Sequence, residues 1–331
     1  MAKRKYYNKT HYIIDKEKRV LILLPEWFKA LQDSNNRFET YKKLGGSTIP
    51  NILLKGDPFK SEFAAFCHIT RLSQPVLISK YIEAGNVLEP RVFDLLRKTL
   101  SNKNITVENY VSKDLGFDYF KNKYKFFQGV PDGYMNNNSY FEKKNELHQL
   151  KLKLYELSSQ NDPEYLDLES KIYQLEEEVE KENRENGRIL EIKTAGAKKY
   201  DLWERDGVDL GYRKQAQTYA YLNGNDKYSI VAVFLNEEDY LNPAALDFRT
   251  HKVKTYNFNV NPDEVADDFK IVEEWYKKYT SPEANVSPVY DPIRDATLIQ
   301  YLECENEQQW AELLEEFKRT GKADPDRTIY D

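Results

Sequence analysis

Residues 142–187 carry an apolar period that a pair of helices satisfies and a strand does not. Leu147, Leu150, Leu154 and Leu157 step by three, four and three, and Tyr165, Leu168, Ile172, Leu175 and Val179 by three, four, three and four. Each run puts its apolar side chains on one narrow helical stripe. Between them, Ser158-Ser159-Gln160-Asn161 stops the first helix, Asp162 caps the second and Pro163 takes its first position. The stretch predicts an antiparallel helical hairpin, with Glu176, Glu177, Glu178 and Glu180 facing solvent. Two heptads per helix are short for a self-standing coil. That favours a projecting intramolecular hairpin over an oligomer contact or partner arm.

The hairpin interrupts a chain of alternating elements. A strand followed by a helix begun at Pro25 is predicted over 20–36, helices over 60–71, 75–84 and 87–101, and strand-like segments over 123–130 and 188–194. A helix over 211–223, strands over 227–235 and 251–259 and a helix over 262–279 follow. Ser47 stands where it can cap the segment after Gly45-Gly46. This order predicts an α/β or α+β core, a mixed central sheet flanked by helices.

Composition narrows the setting. Of 331 residues, 40% are hydrophobic and 31% charged, enough for a buried core in one or two domains. The formal charge is −6, but residues 281–331 hold twelve acids against five bases, which leaves the rest near neutral and allows a local basic face. Residues 1–20 carry seven bases and two acids, a solvated basic end or a DNA-tracking arm. Trp310, Leu313, Leu314 and Phe317 share one face of a helix in the acidic tail, which suits docking on the body. Cys67 and Cys304 are too few for a four-Cys zinc site or a disulfide framework and fit a reducing cytosol. No apolar stretch has the length of a membrane span, so a soluble cytoplasmic chain is expected, with no membrane partner. His11, His68, His148 and His251 stand apart, and no phosphate-cradling Gly-rich loop occurs, so neither histidine catalysis nor ATP use is expected.

The chemistry concentrates in two short runs, Gly129-Val130-Pro131-Asp132-Gly133 and Leu190-Glu191-Ile192-Lys193-Thr194. Taken singly each is weak: Pro-Asp-Gly is usually a turn, and Glu-x-Lys on a strand is usually a solvated pair. Taken together, Asp132 is expected at the end of one strand and Glu191 in the next. Leu190 and Ile192 face the core, and Glu191 and Lys193 face the other side. Ionisable groups in apolar surroundings need a cation or a phosphate to balance them.

With these runs the chain resembles the phage lambda exonuclease type, the YqaJ-like viral recombinase family, of the Pro-Asp-(Asp/Glu)-x-Lys nuclease superfamily. The resemblance spans about Lys43 to Thr280. It includes Leu44-Gly45-Gly46-Ser47, Gly85-x-x-x-Glu89-Pro90, the two runs above and Tyr212-Arg213-Lys214-Gln215-Ala216-Gln217, in the family's order. It implies a restriction-endonuclease-like core over 37–141 and 188–280, an N-terminal segment 1–36, the inserted hairpin 142–187 and an acidic helical tail 281–331. It further implies that Asp132, Glu191 and the carbonyl of Ile192 bind one or two Mg²⁺ or Mn²⁺ ions, completed by Glu89. Lys193 would orient water or stabilise phosphate charge, and Gln215 would hold Lys193 or a phosphate oxygen. Ser47 with Arg37, Lys42 or Lys43, and Gln217, would contact DNA or a terminal phosphate.

The implied activity is metal-dependent hydrolysis of duplex DNA from a 5′ end, in recombination or repair. A ring-shaped homo-oligomer and a single-strand annealing protein are the implied partners besides the DNA. A restriction-type or structure-selective endonuclease, and an inactive DNA-binding scaffold, are the alternatives. Two departures stand out. The family joins its two strands by a short connection, whereas 59 positions separate Asp132 from Glu191 here, an insertion that costs little closure entropy. Val130 stands where some relatives carry a hydroxyl.

Overall fold

The computed structural model describes residues 4–121, 123–157 and 163–330. The chain divides into two compact units, residues 1–82, 122–128 and 266–331 in the first and residues 83–121 and 129–265 in the second.

The first unit opens with an antiparallel ribbon of β1 (Tyr12–Asp15) and β2 (Val20–Leu23), paired Tyr12 to Leu23 through Asp15 to Val20. Helix α1 (Pro25–Gln32) has Pro at its start, where no N–H is missed, and buries Trp27 and Leu31. At α2 (Ile49–Leu53) Thr48, not Ser47, is the N-cap residue, and Ser47 is exposed. Helix α3 (Glu62–Ile69) is capped by Ser61, whose Oγ accepts from the Ala64 N–H at 3.2 Å. The strand expected over 123–130 is not formed. The segment makes one isolated parallel bridge, Leu44 to Phe127, and its aromatic residues pack instead, Phe126 and Phe127 each 5.9 Å from Phe269. Strand propensity is largely a measure of such packing, and without a partner strand the packing wins.

In the second unit α4 (Lys80–Leu100, its first three residues in the first unit) is a single helix where two were expected. It runs through Gly85 and Pro90. Its buried face holds it together: Ala84, Leu88, Val92 and Phe93 form one core with Leu190, Ile192, Val231 and Val233. That burial outweighs the weak helical preference of Gly and the bond lost at Pro. Strands β3 (Ile105–Asn109) and β4 (Gly133–Asn137) form an antiparallel pair. Strand β3 was not expected from the sequence, and Asp132 immediately precedes β4 rather than ending a strand.

Helices α5 (Asn138–Glu156) and α6 (Pro163–Asn186) form the hairpin. Leu168 and Ile172 are buried along the seam. Glu177, Glu178 and Glu180 are exposed, as expected, and Glu176 is half-buried; Glu178 and Glu176 also form ion pairs. They pair with Lys143 at 2.9 Å and Lys151 at 2.5 Å across the two helices. The expected cap Asp162 lies outside the described residues.

Strand β5 (Arg188–Gly196) pairs antiparallel with β4 and parallel with β6 (Lys227–Leu235), which β7 (Val253–Asn259) flanks antiparallel. The sheet order is β3-β4-β5-β6-β7. Two helices fill the crossover from β5 to β6, α7 (Lys199–Asp206) and α8 (Leu210–Leu222). Asp209 caps α8 through the Gly211 N–H at 2.9 Å. A mixed sheet flanked by helices is thus the architecture.

Helix α9 (Pro262–Thr280) leads back to the first unit. There α10 (Ala296–Glu303) and α11 (Glu307–Arg319) form the acidic tail, with Trp310, Leu314 and Phe317 buried and Leu313 half-buried. The tail is pinned further by the Asp324 carboxylate, which accepts from the Ser79 N–H at 2.6 Å. No helix among the described residues is long and apolar enough to cross a membrane.

Candidate active site

Strand β5 sets the site by alternation. Leu190 and Ile192 enter the core shared with α4, which turns Glu191 and Lys193 to the opposite face. Glu191 is nevertheless fully buried, at 0% exposure. Its Oε2 accepts from Lys193 Nζ at 2.9 Å, while Oε1 is buried with no hydrogen-bond partner. An orphaned carboxylate oxygen of this kind is costly unless a ligand completes it.

Asp132 is fixed at both its backbone and its side chain. Its carbonyl accepts from the Tyr110 N–H at 2.8 Å, and its Oδ2 accepts from the Ile192 N–H at 2.7 Å. The glycine that follows is a packing requirement more than a turn signal. A Cβ on Gly133 would meet the Glu108 carbonyl and the Phe93 ring. Helix α8 brings Gln215, whose Oε1 accepts from Lys193 Nζ at 3.3 Å. It also brings Tyr212, one turn earlier, with its ring 5.2 Å from the same ammonium. Tyr212 was not among the expected site residues, although its i, i+3 spacing from Gln215 on an amphipathic helix is the signal that finds it.

Glu89, half-buried on α4, joins the cluster electrostatically. Burial, then the charge of Asp132, push it up to about 7, against the pull of Lys193. Burial and Asp132 likewise push Glu191 up to about 8. Asp132 is raised by burial, although Lys193 and the Ile192 N–H favour its charged form. Burial works to lower Lys193, but Glu191 and Asp132 outweigh it and the ammonium is held above its usual range. Three carboxylates therefore share one ammonium. Near neutrality the cluster keeps a proton on Lys193 and draws a further one onto its carboxylates.

This has a consequence for stability. An ordinary carboxylate titrates near 4.3, so between about pH 4 and the raised values of Glu89 and Glu191 the folded chain holds more protons than the unfolded one. Stability contributed there is present at low pH and lost as pH rises through 7 to 8. In a chelating buffer the urea midpoint should fall from pH 6 to pH 9, about in line with these values. Glu89→Gln should flatten part of the slope. A midpoint that rises over this range contradicts the assignment.

The structure thus joins Glu89, Asp132, Glu191, Ile192, Lys193 and Gln215 in one unit. Gln217 is turned elsewhere: it is buried, and its Oε1 accepts from the Asn261 N–H at 3.2 Å. Arg37, Lys42, Lys43 and Ser47 belong to the first unit. There the Arg37 guanidinium lies 4.8 Å from the Phe38 ring, the Lys42 carbonyl accepts from Tyr276 Oη at 3.3 Å and the Lys43 carbonyl lies 3.3 Å from His68 Nε2. Among the described residues, no three His, Cys, Asp or Glu side chains are arranged as a ready-made metal site. The donor set still suits a hard cation. Asp132 and Glu191 offer carboxylate oxygens, one of them orphaned, in a cluster with surplus negative charge.

No protein-family model matches the chain, and no curated protein matches it by sequence. Among solved structures it is similar to an alkaline exonuclease from Laribacter hongkongensis, with TM-score 0.40 and 12% identity over 90% of this chain and 98% of that one. The same enzyme in complex with dAMP gives TM-score 0.40 and 13% identity, over 90% and 98% of the two chains. A phage related exonuclease from Haemophilus somnus 129PT gives TM-score 0.41 and 14% identity, over 72% and 94%. At TM-scores this low nothing about chemistry follows from the likeness. The side chains carry it instead.

Proposed function

We propose that this chain is a divalent-metal-dependent DNA nuclease, acting as an exonuclease on duplex DNA from a 5′ end. The observation that carries the reading is Glu191, a fully buried carboxylate with one oxygen orphaned, set among Asp132, Lys193 and Glu89. A purely structural role gives no reason to gather one buried and two half-buried acids beside one base, since each loses hydration that its neighbours do not restore.

Asp132, Glu191 and the Ile192 carbonyl would hold Mg²⁺ or Mn²⁺, with Glu89 completing the set. When bound, the cation supplies Lewis acidity that acidifies water and neutralises phosphate charge. Lys193 keeps its proton at Nζ, where Gln215 and the Tyr212 ring fix its direction. From there it can donate to an attacking water or to a phosphate oxygen. Ile192 N–H holds Asp132 Oδ2, so the two strands keep their acids in register. The raised carboxylates also tie cation binding to pH, because ligands must lose their protons to bind.

The test uses the purified chain with linear 5′-phosphorylated duplex and with covalently closed circles, each in Mg²⁺, Mn²⁺ or chelator. Linear duplex should be degraded in Mg²⁺ and spared in chelator, and closed circles should stay intact. Linear duplex left whole with both metals defeats the nuclease reading. Efficient nicking of circles defeats exonuclease action and leaves an endonuclease of the same chemistry.

A further inference from the structure

Helix α4 is weakest at the turn that bears Glu89. Gly85 opens that turn, and Pro90 follows it without an N–H, so the Asn86 carbonyl loses its helical donor. The turn nonetheless lies close over β5. A Cβ on Gly85 would stand 4.0 Å from Thr194 Oγ1, and Glu89, one turn later, shares that side of the helix.

Arg91 leaves the helix about 200° around from Glu89. The two therefore flank the buried stripe of Leu88 and Val92 from opposite sides. The Arg91 guanidinium donates to three carbonyls of the segment between β6 and β7. Its Nη1 reaches Pro243 at 2.9 Å and Ala244 at 3.0 Å, and its Nη2 reaches Leu246 at 2.5 Å. These carbonyls end the 3₁₀ turn Pro243–Ala245, where helical donors run out and a cation is favoured. The Phe248 ring lies 5.1 Å from the same guanidinium.

The segment is itself well anchored. Tyr240 and Leu246 are buried in the core that Leu88 and Val92 share with β5 and β6. Its two ends meet at Asp239, whose Oδ2 accepts from the Asn236 N–H at 2.7 Å and lies 3.1 Å from His251 Nε2. Beside this neck the Phe234 N–H donates to the Lys252 carbonyl at 3.0 Å. The segment leaves β6, which runs parallel to β5 with Ile230 opposite Glu191 and Ala232 opposite Lys193. Arg91 thus ties the weak turn of α4 to the sheet that carries Glu191 and Lys193. An apolar stripe is non-directional and fixes the depth of a helix more than its rotation. A planar fork on three acceptors is directional and fixes the rotation.

We infer that Arg91 is a positioning residue, which sets the rotation of α4 and so aims the Glu89 carboxylate at Asp132, Glu191 and Lys193. The inference rests on the metal-site reading above and adds to it a residue that does not touch the cluster.

Arg91→Met keeps the apolar stem and removes the fork. Mn²⁺ binding to the full chain without DNA, read from the loss of the free-ion EPR signal, should weaken about tenfold, as for other groups that orient metal ligands. On linear duplex kcat should fall while KM for DNA stays parental, because ground-state binding of DNA is untouched. Arg91→Lys retains a donor for these carbonyls. It should recover part of both losses, and it shows the same changes at smaller size if Arg91→Met does not fold. Arg249→Met removes a cation from the same segment but none of the three bonds, and should match the parent. Parental Mn²⁺ affinity and kcat in Arg91→Met overturn the inference and leave the metal-site reading standing. So does a lowered melting temperature with Mn²⁺ affinity unchanged, or an equal loss in Arg249→Met. A parent chain that neither binds Mn²⁺ nor degrades DNA defeats the metal-site reading itself, and this inference with it.

Discussion

Glu191→Gln should cut hydrolysis of linear duplex DNA by on the order of 10²- to 10³-fold, the loss expected when one charge-stabilising group leaves a preorganised site. The change preserves shape and one hydrogen-bond acceptor for Lys193, so the loss reports charge and not packing. The folded chain should survive it. Glu191 is fully buried, and burial, then the charge of Asp132, push it up to about 8, so its ionised form is the disfavoured one at neutral pH. A neutral amide there removes a poorly solvated charge, and Asp132 remains to balance the Lys193 ammonium, so the change does not leave that ammonium without an opposing charge. The melting temperature in chelator should therefore match or exceed that of the parent above pH 8, while the extra stabilisation given by Mg²⁺ is lost. Both readouts are needed. Parental hydrolysis by Glu191→Gln would show the site to be misplaced even if the chain degrades DNA. A collapse of stability without metal would show Glu191 to be structural.

How much of this was legible in the sequence depends on the range of the interaction. Asp132, Glu191 and Lys193 were found because a two-residue strand period and a short Pro-Asp-Gly run are local patterns, and the structure brings them together. Gln215 is legible only through the family resemblance, since a glutamine on a helix is otherwise an ordinary surface amide. Tyr212 stands in the same motif but carries no expected role, because its i, i+3 spacing from Gln215 gives a shared helix face and not the ammonium its ring meets. Asp132 was placed at the end of a strand because the aromatic run before it reads as extended. The structure satisfies those aromatics by ring packing instead and begins the strand at Gly133. Strand β3 is five residues long and half-buried, too short and too weakly alternating to stand out. The expected helices 75–84 and 87–101 left a break at Gly85, and only the tertiary core shows why the helix continues through it.

Gly133→Ala should be the most disruptive small substitution near the site, costing roughly 3 kcal/mol, the upper part of the range for forced overpacking. The added methyl would overlap the Glu108 carbonyl and come 2.5 Å from Cε1 and 2.6 Å from Cζ of Phe93. Neither neighbour can simply turn aside. Glu108 belongs to β3, held in register with Asn109 opposite Gly133, and Phe93 is fully buried in the core of α4. Relief must come from moving β4 or α4, and each carries an acid of the cluster. Asp132 directly precedes Gly133, and Glu89 lies one helical turn before Phe93 on α4. The variant should therefore lose hydrolysis even at temperatures where it remains folded, by a factor exceeding its loss of folded fraction. Gly196→Ala is the matched control, since its Cβ would meet nothing within 4 Å and its backbone is not left-handed. It should lie within about 0.5 kcal/mol of the parent, on the stabilising side, because Ala narrows the unfolded ensemble. Equal stability and activity of the two variants would mean that the strand has room at Gly133 and that the acids are not held by this contact.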